Sequence, residues 1–222
     1  MKISIPRLLA FNGGYVDTAG FLALQGLFTA HVTGNFVTLG AALVQGTSGI
    51  AAKLLALPVF CIMVLVVRFL SKPVEEGALR VLLVVKLLLF VAGAVMAIKF
   101  GPFPDGDSAP ALATGLTLVA AMAIQNAVHR IYFPKAPPST LMTGSTTQIM
   151  LDAADLLRGG DPAETRSATR ARSLSMLYSV VIFAVGCGIA AVVYANLGMP
   201  VFLLPPVITA LVLRLHLRAP RA

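Results

Sequence analysis

The sequence predicts an all-α integral membrane protein. It has six transmembrane helices plus two short re-entrant or broken helices, arranged as two inverted-topology repeats. Three observations lead there: the amount of apolar sequence, the placement of Lys and Arg between apolar runs, and a weak match between the two halves. The 222 residues are 58% hydrophobic and 12% charged, with a mean hydropathy of +0.89. A soluble domain of this size needs more charge to cover its surface. The net charge of +8 follows from basic residues standing between apolar runs rather than in a stripe with interleaved aromatics. This pattern points to membrane orientation and away from nucleic acid.

Six stretches are long enough to cross about 30 Å of hydrocarbon. They are 8–30, 50–70, 81–99, 111–130, 174–195 and 200–217. The first is interrupted by Asn12, Gly13, Gly14 and Asp17, unlike the core of a cleavable signal, and is expected to stay in the mature protein. Two further stretches, 34–46 and 143–157, read as helices too short for a full crossing. Fourteen of the 17 basic residues fall before the first span, around 71–80, from 130 to 173, or at the end of the chain from Arg214 on. FGPFPDGDSAP (100–110) and NLGMP (196–200) hold none. Six crossings put the four basic groups on one side, with both termini cytoplasmic. Lys86, well inside its span, is expected to snorkel. RGGDPAETRSATRARS (158–173) reads as a solvated cytoplasmic loop.

The halves match in order. FLALQGLF (21–28) aligns with AMAIQNAV (121–128), setting Gln25 against Gln125, and Thr33-Gly34-Asn35 recurs as Thr143-Gly144-Ser145. Each half then reads as span, short helix, span, span: residues 1–99 form the first repeat and 111–222 the second. Three crossings per half invert the second half relative to the first. Thr33 and Thr143 are expected to cap the short helices, whose first N–H groups lipid cannot satisfy. Two positive dipole ends would then face one midplane cavity and favour an anionic or polar solute. The candidate substrate-binding residues are therefore Thr33, Gly34, Asn35, Thr143, Gly144 and Ser145, supported by Gln25, Gln125 and Asn126. Asp17, the single acid well inside a span, is the candidate for ion or proton coupling. The alternative roles are holding freed backbone for Asp17 and bridging helices for the amides.

The segments GGYVDTAGFLALQGLFTAHVTGNFVTLGAAL (13–43) and AIQNAVHRIYFPKAPPSTLMTGSTTQIMLDAADLL (123–157) resemble the YoaK family of bacterial membrane proteins, catalogued as a domain of unknown function. The resemblance covers essentially the whole chain. It implies a six-span protein of the bacterial inner membrane and supplies no substrate or reaction.

The expected function is a small-solute transporter or channel. The alternatives are a membrane enzyme or a non-transporting partner or sensor protein. One intramembrane acid and no convergent nucleophile, base or metal set argue against catalysis. Cys61 and Cys187 read as packing residues, and His31, His129 and His216 as interfacial. No metal site is expected, and the absence of a phosphate-binding glycine loop or dinucleotide fingerprint predicts no cofactor. The expected partners are the lipid bilayer, a small solute or ion and, as a candidate from the small-residue stretch GCGIAA (186–191), a second copy of the chain, with no nucleic acid.

Overall fold

A computed structural model describes residues 4–70, 76–159 and 162–218, and every regular element among them is helical. In order these are α1 (Ile5–Ala23), α2 (Gly34–Gln45), α3 (Ile50–Leu70), α4 (Glu76–Phe100), α5 (Ala109–Tyr132), α6 (Thr143–Arg158), α7 (Ala163–Leu197), a 3-10 turn (Met199–Leu203) and α8 (Leu204–Arg218). Among the described residues, five helical stretches are long and apolar enough to cross a membrane: Ile50–Leu70, Gly77–Phe100, Ala109–Tyr132, Ala163–Leu197 and Met199–Arg218. These suit a multi-pass membrane protein. Lys2, Lys72 and Arg221, three of the fourteen basic residues counted for sidedness, lie outside the described residues.

The short helices fall where the sequence puts them. The first span does not run to residue 30. α1 stops at Ala23, Gln25 takes a positive φ of 54° and Gly26 one of 79°. Residues 24–33 then fold back as a loop before α2. α7 begins eleven residues earlier than expected, so most of the polar connection after 158 is helix. This extension is tied down by Arg172, whose guanidinium donates through Nε and Nη2 to Asp152 on α6, while Gln148 Nε2 donates to Asp152 Oδ1 at 2.8 Å.

α1 and α5 are the most buried helices and lie at the centre of the bundle. α7 packs along α1, and α3 along α5. α2 leans on α3 and α6 on α7; α4 packs against α5 and α8, and α8 also touches α1. The α1–α7 contact is set by glycine. A Cβ on Gly14 would collide with the Phe183 carbonyl, and one on Gly186 with the Phe11 carbonyl. Gly13 is equally tight against the Ser139 carbonyl. In the absence of a hydrophobic drive between helices in lipid, such backbone approach supplies the packing.

At one end of the bundle the loops 24–33, 46–49 and 101–108 meet. Asp107 caps α3 from far along the chain, accepting from Gly49 N (2.9 Å), Ile50 N (3.2 Å) and Ala51 N (2.8 Å). Ser48 Oγ accepts Gly106 N, and Gln25 Nε2 donates to Phe103 O. Burial pushes the Asp107 carboxyl up, but the N–H groups of Ala51, Gly49, Ile50 and Ala52 together outweigh it and hold the carboxyl below its ordinary 3.8.

Two outcomes follow from this packing. Gly14→Ala and Gly186→Ala should each destabilise the protein in detergent by about 1–3 kcal/mol through overpacking. Gly188→Ala, whose Cβ would meet nothing within 4 Å, should be neutral by the same thermal unfolding measurement. Because the folded Asp107 pKa lies below the unfolded one, its stabilisation is complete above about pH 4 and is lost as pH falls through the folded value. The stability gap between wild type and Asp107→Asn should therefore be about 1 kcal/mol near neutrality and close on acidification; a gap independent of pH would reject the cap.

Candidate functional site

Two polar devices hold the breaks after α1 and α5. Asp17 stands six positions before the last residue of α1, and Asn126 six before the last residue of α5. Ten-residue loops follow each helix, 24–33 and 133–142, and each leads into a short helix. Asp17 Oδ1 accepts the backbone N–H of Thr29 at 2.8 Å and of Ala30 at 2.7 Å; His31 N donates to Oδ2 at 3.2 Å. Asn126 Oδ1 accepts the Thr140 hydroxyl at 2.6 Å, and its Nδ2 donates to Met122 O. Counting from helix ends thus sets Asp17 against Asn126. Gln25 and Gln125, aligned in the sequence, do not hold matching places by this count, since Gln25 lies past the end of α1 and Gln125 inside α5.

The Thr-Gly motifs also work differently from the expectation. Thr33 is in αR conformation and exposed, and its side chain makes no cap bond to α2. An N-cap residue needs extended backbone to aim its oxygen at the first turn. The chain instead winds into α2 by three-residue turns, Gly34 N to His31 O, Asn35 N to Val32 O and Phe36 N to Thr33 O, which satisfy those donors with backbone carbonyls. Thr143 is already the first residue of α6, where Met142 holds the cap position without a side-chain bond. The residues that point inward are Asn35, 1% exposed, and Ser145. Asn35 clamps Phe28 from both sides: its Oδ1 accepts Phe28 N and its Nδ2 donates to Phe28 O, both at 2.8 Å. Gly34 and Gly144 lie beside them at the two helix starts.

These two sets of residues stand apart. α2 and α6 pack on different helices, and the pockets beside the two breaks draw on one approach each. The pocket beside α1, about 350 Å³, is lined by Asp17, Phe28, His31, Phe183 and Cys187. The pocket beside α5, about 500 Å³, lies between α3 and the second loop. Arg68, Asn126, His129, Arg130, Ser139 and Thr140 supply its polar wall. Ser139 Oγ and His129 Nδ1 are buried there without partners; His129 Nε2 lies 3.4 Å from Ala136 O.

Between the two central helices runs a buried network in which Gln125 takes the bridging alternative read from the sequence, joined by Asn12 and Lys86, which the sequence did not point to. Asn12 Nδ2 donates to Gln125 Oε1 at 3.0 Å, Lys86 Nζ donates to the same oxygen at 2.7 Å, and Gln125 Nε2 donates to Leu9 O at 2.8 Å. Lys86 is 1% exposed and does not snorkel. Gln125 therefore bridges three helices, whereas Gln25 sits in the loop at the bundle end.

A family model described as protein of unknown function (DUF1275) matches residues 5–215. The chain belongs to that family. This agrees with the resemblance to the YoaK proteins, which the family includes. No curated protein and no solved structure matches. Among the described residues no group of three or more His, Cys, Asp or Glu side chains is placed to hold a metal ion.

Removing a clamp should cost more than altering a motif residue on the surface. Asn35→Ala leaves Phe28 N–H and C=O unpaired and should cost about 1–3 kcal/mol, and Asp17→Ala at least as much. Thr33→Val should lie within about 0.5 kcal/mol of wild type. A Thr33 loss equal to that of Asn35, measured by unfolding in detergent, would restore the capping role.

Proposed function

We propose that the protein is a small-solute transporter or channel of the bacterial inner membrane, built as two inverted repeats of three crossings each, with both termini cytoplasmic. α1 is the sixth crossing. Its 19 residues reach about 28 Å, enough for most of a hydrocarbon core, and its lower apolar content reflects its central, lipid-shielded place. The observation that carries the reading is the packing pattern. Exchanging α1 with α5, α2 with α6, α3 with α7 and α4 with α8 turns each main helix pair into another existing pair. The same exchange turns the Asp17 pocket into the Asn126 pocket.

Two pockets at opposite ends, separated by a closed polar network, suit a path that opens to one side at a time. In this reading the solute passes between α1 and α5 rather than between the N-termini of the short helices. Residues 1–99 and 111–222 act as the two repeats of one membrane domain. Asp17, Asn35, Asn126 and Ser145 support the path by holding its breaks in shape, and Gln125 lies on it. Thr33, Gly34, Thr143 and Gly144 line the outer flanks of the breaks, where movement of the short helices would act. The alternatives, a membrane enzyme or a partner protein, find no comparable support in the described residues.

The topology can be tested with single cysteines in a Cys61- and Cys187-free background. Thr47 and Lys135 are exposed, whereas Ser139 is too buried to report. Thr47→Cys should react with an impermeant thiol reagent in intact cells and Lys135→Cys only after the cells are opened. Labelling of both from one side would reject inversion.

A further inference from the structure

Lys86 is a buried basic side chain with no carboxylate partner among the described residues. The elements packed against α4 are α5, α8 and the turn Met199–Leu203, and none contains an aspartate or glutamate. The single acid of α4 itself is Glu76, ten residues away, or about 15 Å along the axis. Asp17 is committed to the loop at 29–31. What Lys86 has is one neutral acceptor, Gln125 Oε1, and the Phe90 ring 5.5 Å from its nitrogen. An ammonium has three donors, and removing it from water is costly without an opposite charge. Asn12 Nδ2 donates to the same Gln125 oxygen, so two donors converge on that one acceptor.

A recess of one sign lies beside this network. Asn126, the chain neighbour of Gln125, lines the 500 Å³ pocket. Gly13, the neighbour of Asn12, packs on the Ser139 carbonyl of the same pocket. The pocket walls carry Arg68 and Arg130 and no acid, and they hold the unpartnered Ser139 Oγ and His129 Nδ1. A recess with positive walls, hydroxyl groups and no carboxylate concentrates anions and repels cations.

We propose that Lys86, together with Gln125 and Asn12, is the binding centre for a small monovalent anion that enters from this pocket. The anion takes the place of Gln125 Oε1 as acceptor for the ammonium and brings the opposite charge that none of the described residues places there. One buried ammonium sets the charge of the ligand at one. The inference rests on the transport reading for the anion's onward movement, and names its substrate class.

The test uses the full chain in detergent and in phosphatidylethanolamine–phosphatidylglycerol vesicles, with chloride, nitrate and formate as probes. At constant ionic strength, at least one probe should raise the unfolding midpoint in a saturable way. Lys86→Gln should weaken that apparent affinity about thirtyfold or more, as loss of a buried charge partner does. Should Lys86→Gln fail to fold, Lys86→Arg, which keeps the charge in a broader head, should bind with a changed order among the three anions. Probe-driven stabilisation that is absent, or unaltered in both variants, overturns the proposal. In vesicles, saturable Lys86-dependent binding without flux would keep the anion centre and reject the transport reading. Equal flux in wild type and Lys86→Gln would keep transport and reject Lys86. Flux that follows a pH gradient with no anion dependence would make the site one for protons and overturn the anion assignment.

Discussion

Hydrocarbon offers backbone groups no hydrogen bonds, and the architecture is organised around that fact. An unbroken helix meets the constraint by itself. A chain that stops α1 at Ala23 and restarts at Gly34 does not, because the N–H and C=O groups of the residues between have no helical partners. Asp17 and Asn35 answer it from the two sides of the break. One carboxylate gathers the donors of Thr29, Ala30 and His31, and one amide closes both groups of Phe28. Asp17 on α1 and Asn35 on α2 thus become part of the loop's hydrogen bonding, which fixes where α2 begins.

Close helix contact follows from the same economy of space. α1 approaches α7 so nearly that Gly14 and Gly186 face carbonyls of the opposite helix, and Gly13 faces a carbonyl of the second loop. α1 is therefore held on one side by its own broken loop and on others by α7 and the loop after α5. Tyr15 adds a hydroxyl bond to Val201 O at 2.9 Å, linking α1 to the turn before α8. The central position of α1 explains how it can carry Asn12 and Asp17 at negligible exposure to lipid.

Much of this was legible in the sequence. The short helices were visible because a polar tripeptide followed by a brief apolar run is distinctive: 34–46 and 143–157 became Gly34–Gln45 and Thr143–Arg158. The end of the first span was not visible, because the loop LQGLFTA (24–30) is nearly as apolar as the helix before it. Hydropathy cannot tell a membrane helix from a loop whose polar groups are satisfied by distant residues. Gln25 and Gln125 looked equivalent because they share a letter and a local context, yet one closes a turn and the other bridges three helices. Lys86 was misread for a related reason. Its depth can be counted from the helix end, but the direction in which it points depends on Gln125, 39 positions away. The same holds for Asp107, whose target helix lies earlier in the chain.

The halves differ in one respect that the chemistry of their loops explains. Asp17 and Asn126 occupy matching places, yet one is a carboxylate and the other an amide. The first loop, LQGLFTAHVT (24–33), contains no proline, so every residue brings an N–H that must be paired. A carboxylate, an acceptor at both oxygens, suits that surplus of donors. The second loop, FPKAPPSTLM (133–142), contains Pro134, Pro137 and Pro138, which have no N–H to place. There a single amide oxygen, taking the Thr140 hydroxyl, is sufficient. The charge at residue 17 is thus accounted for by the donors of its own loop, and Lys86 is left as the buried basic group that meets no carboxylate among the described residues.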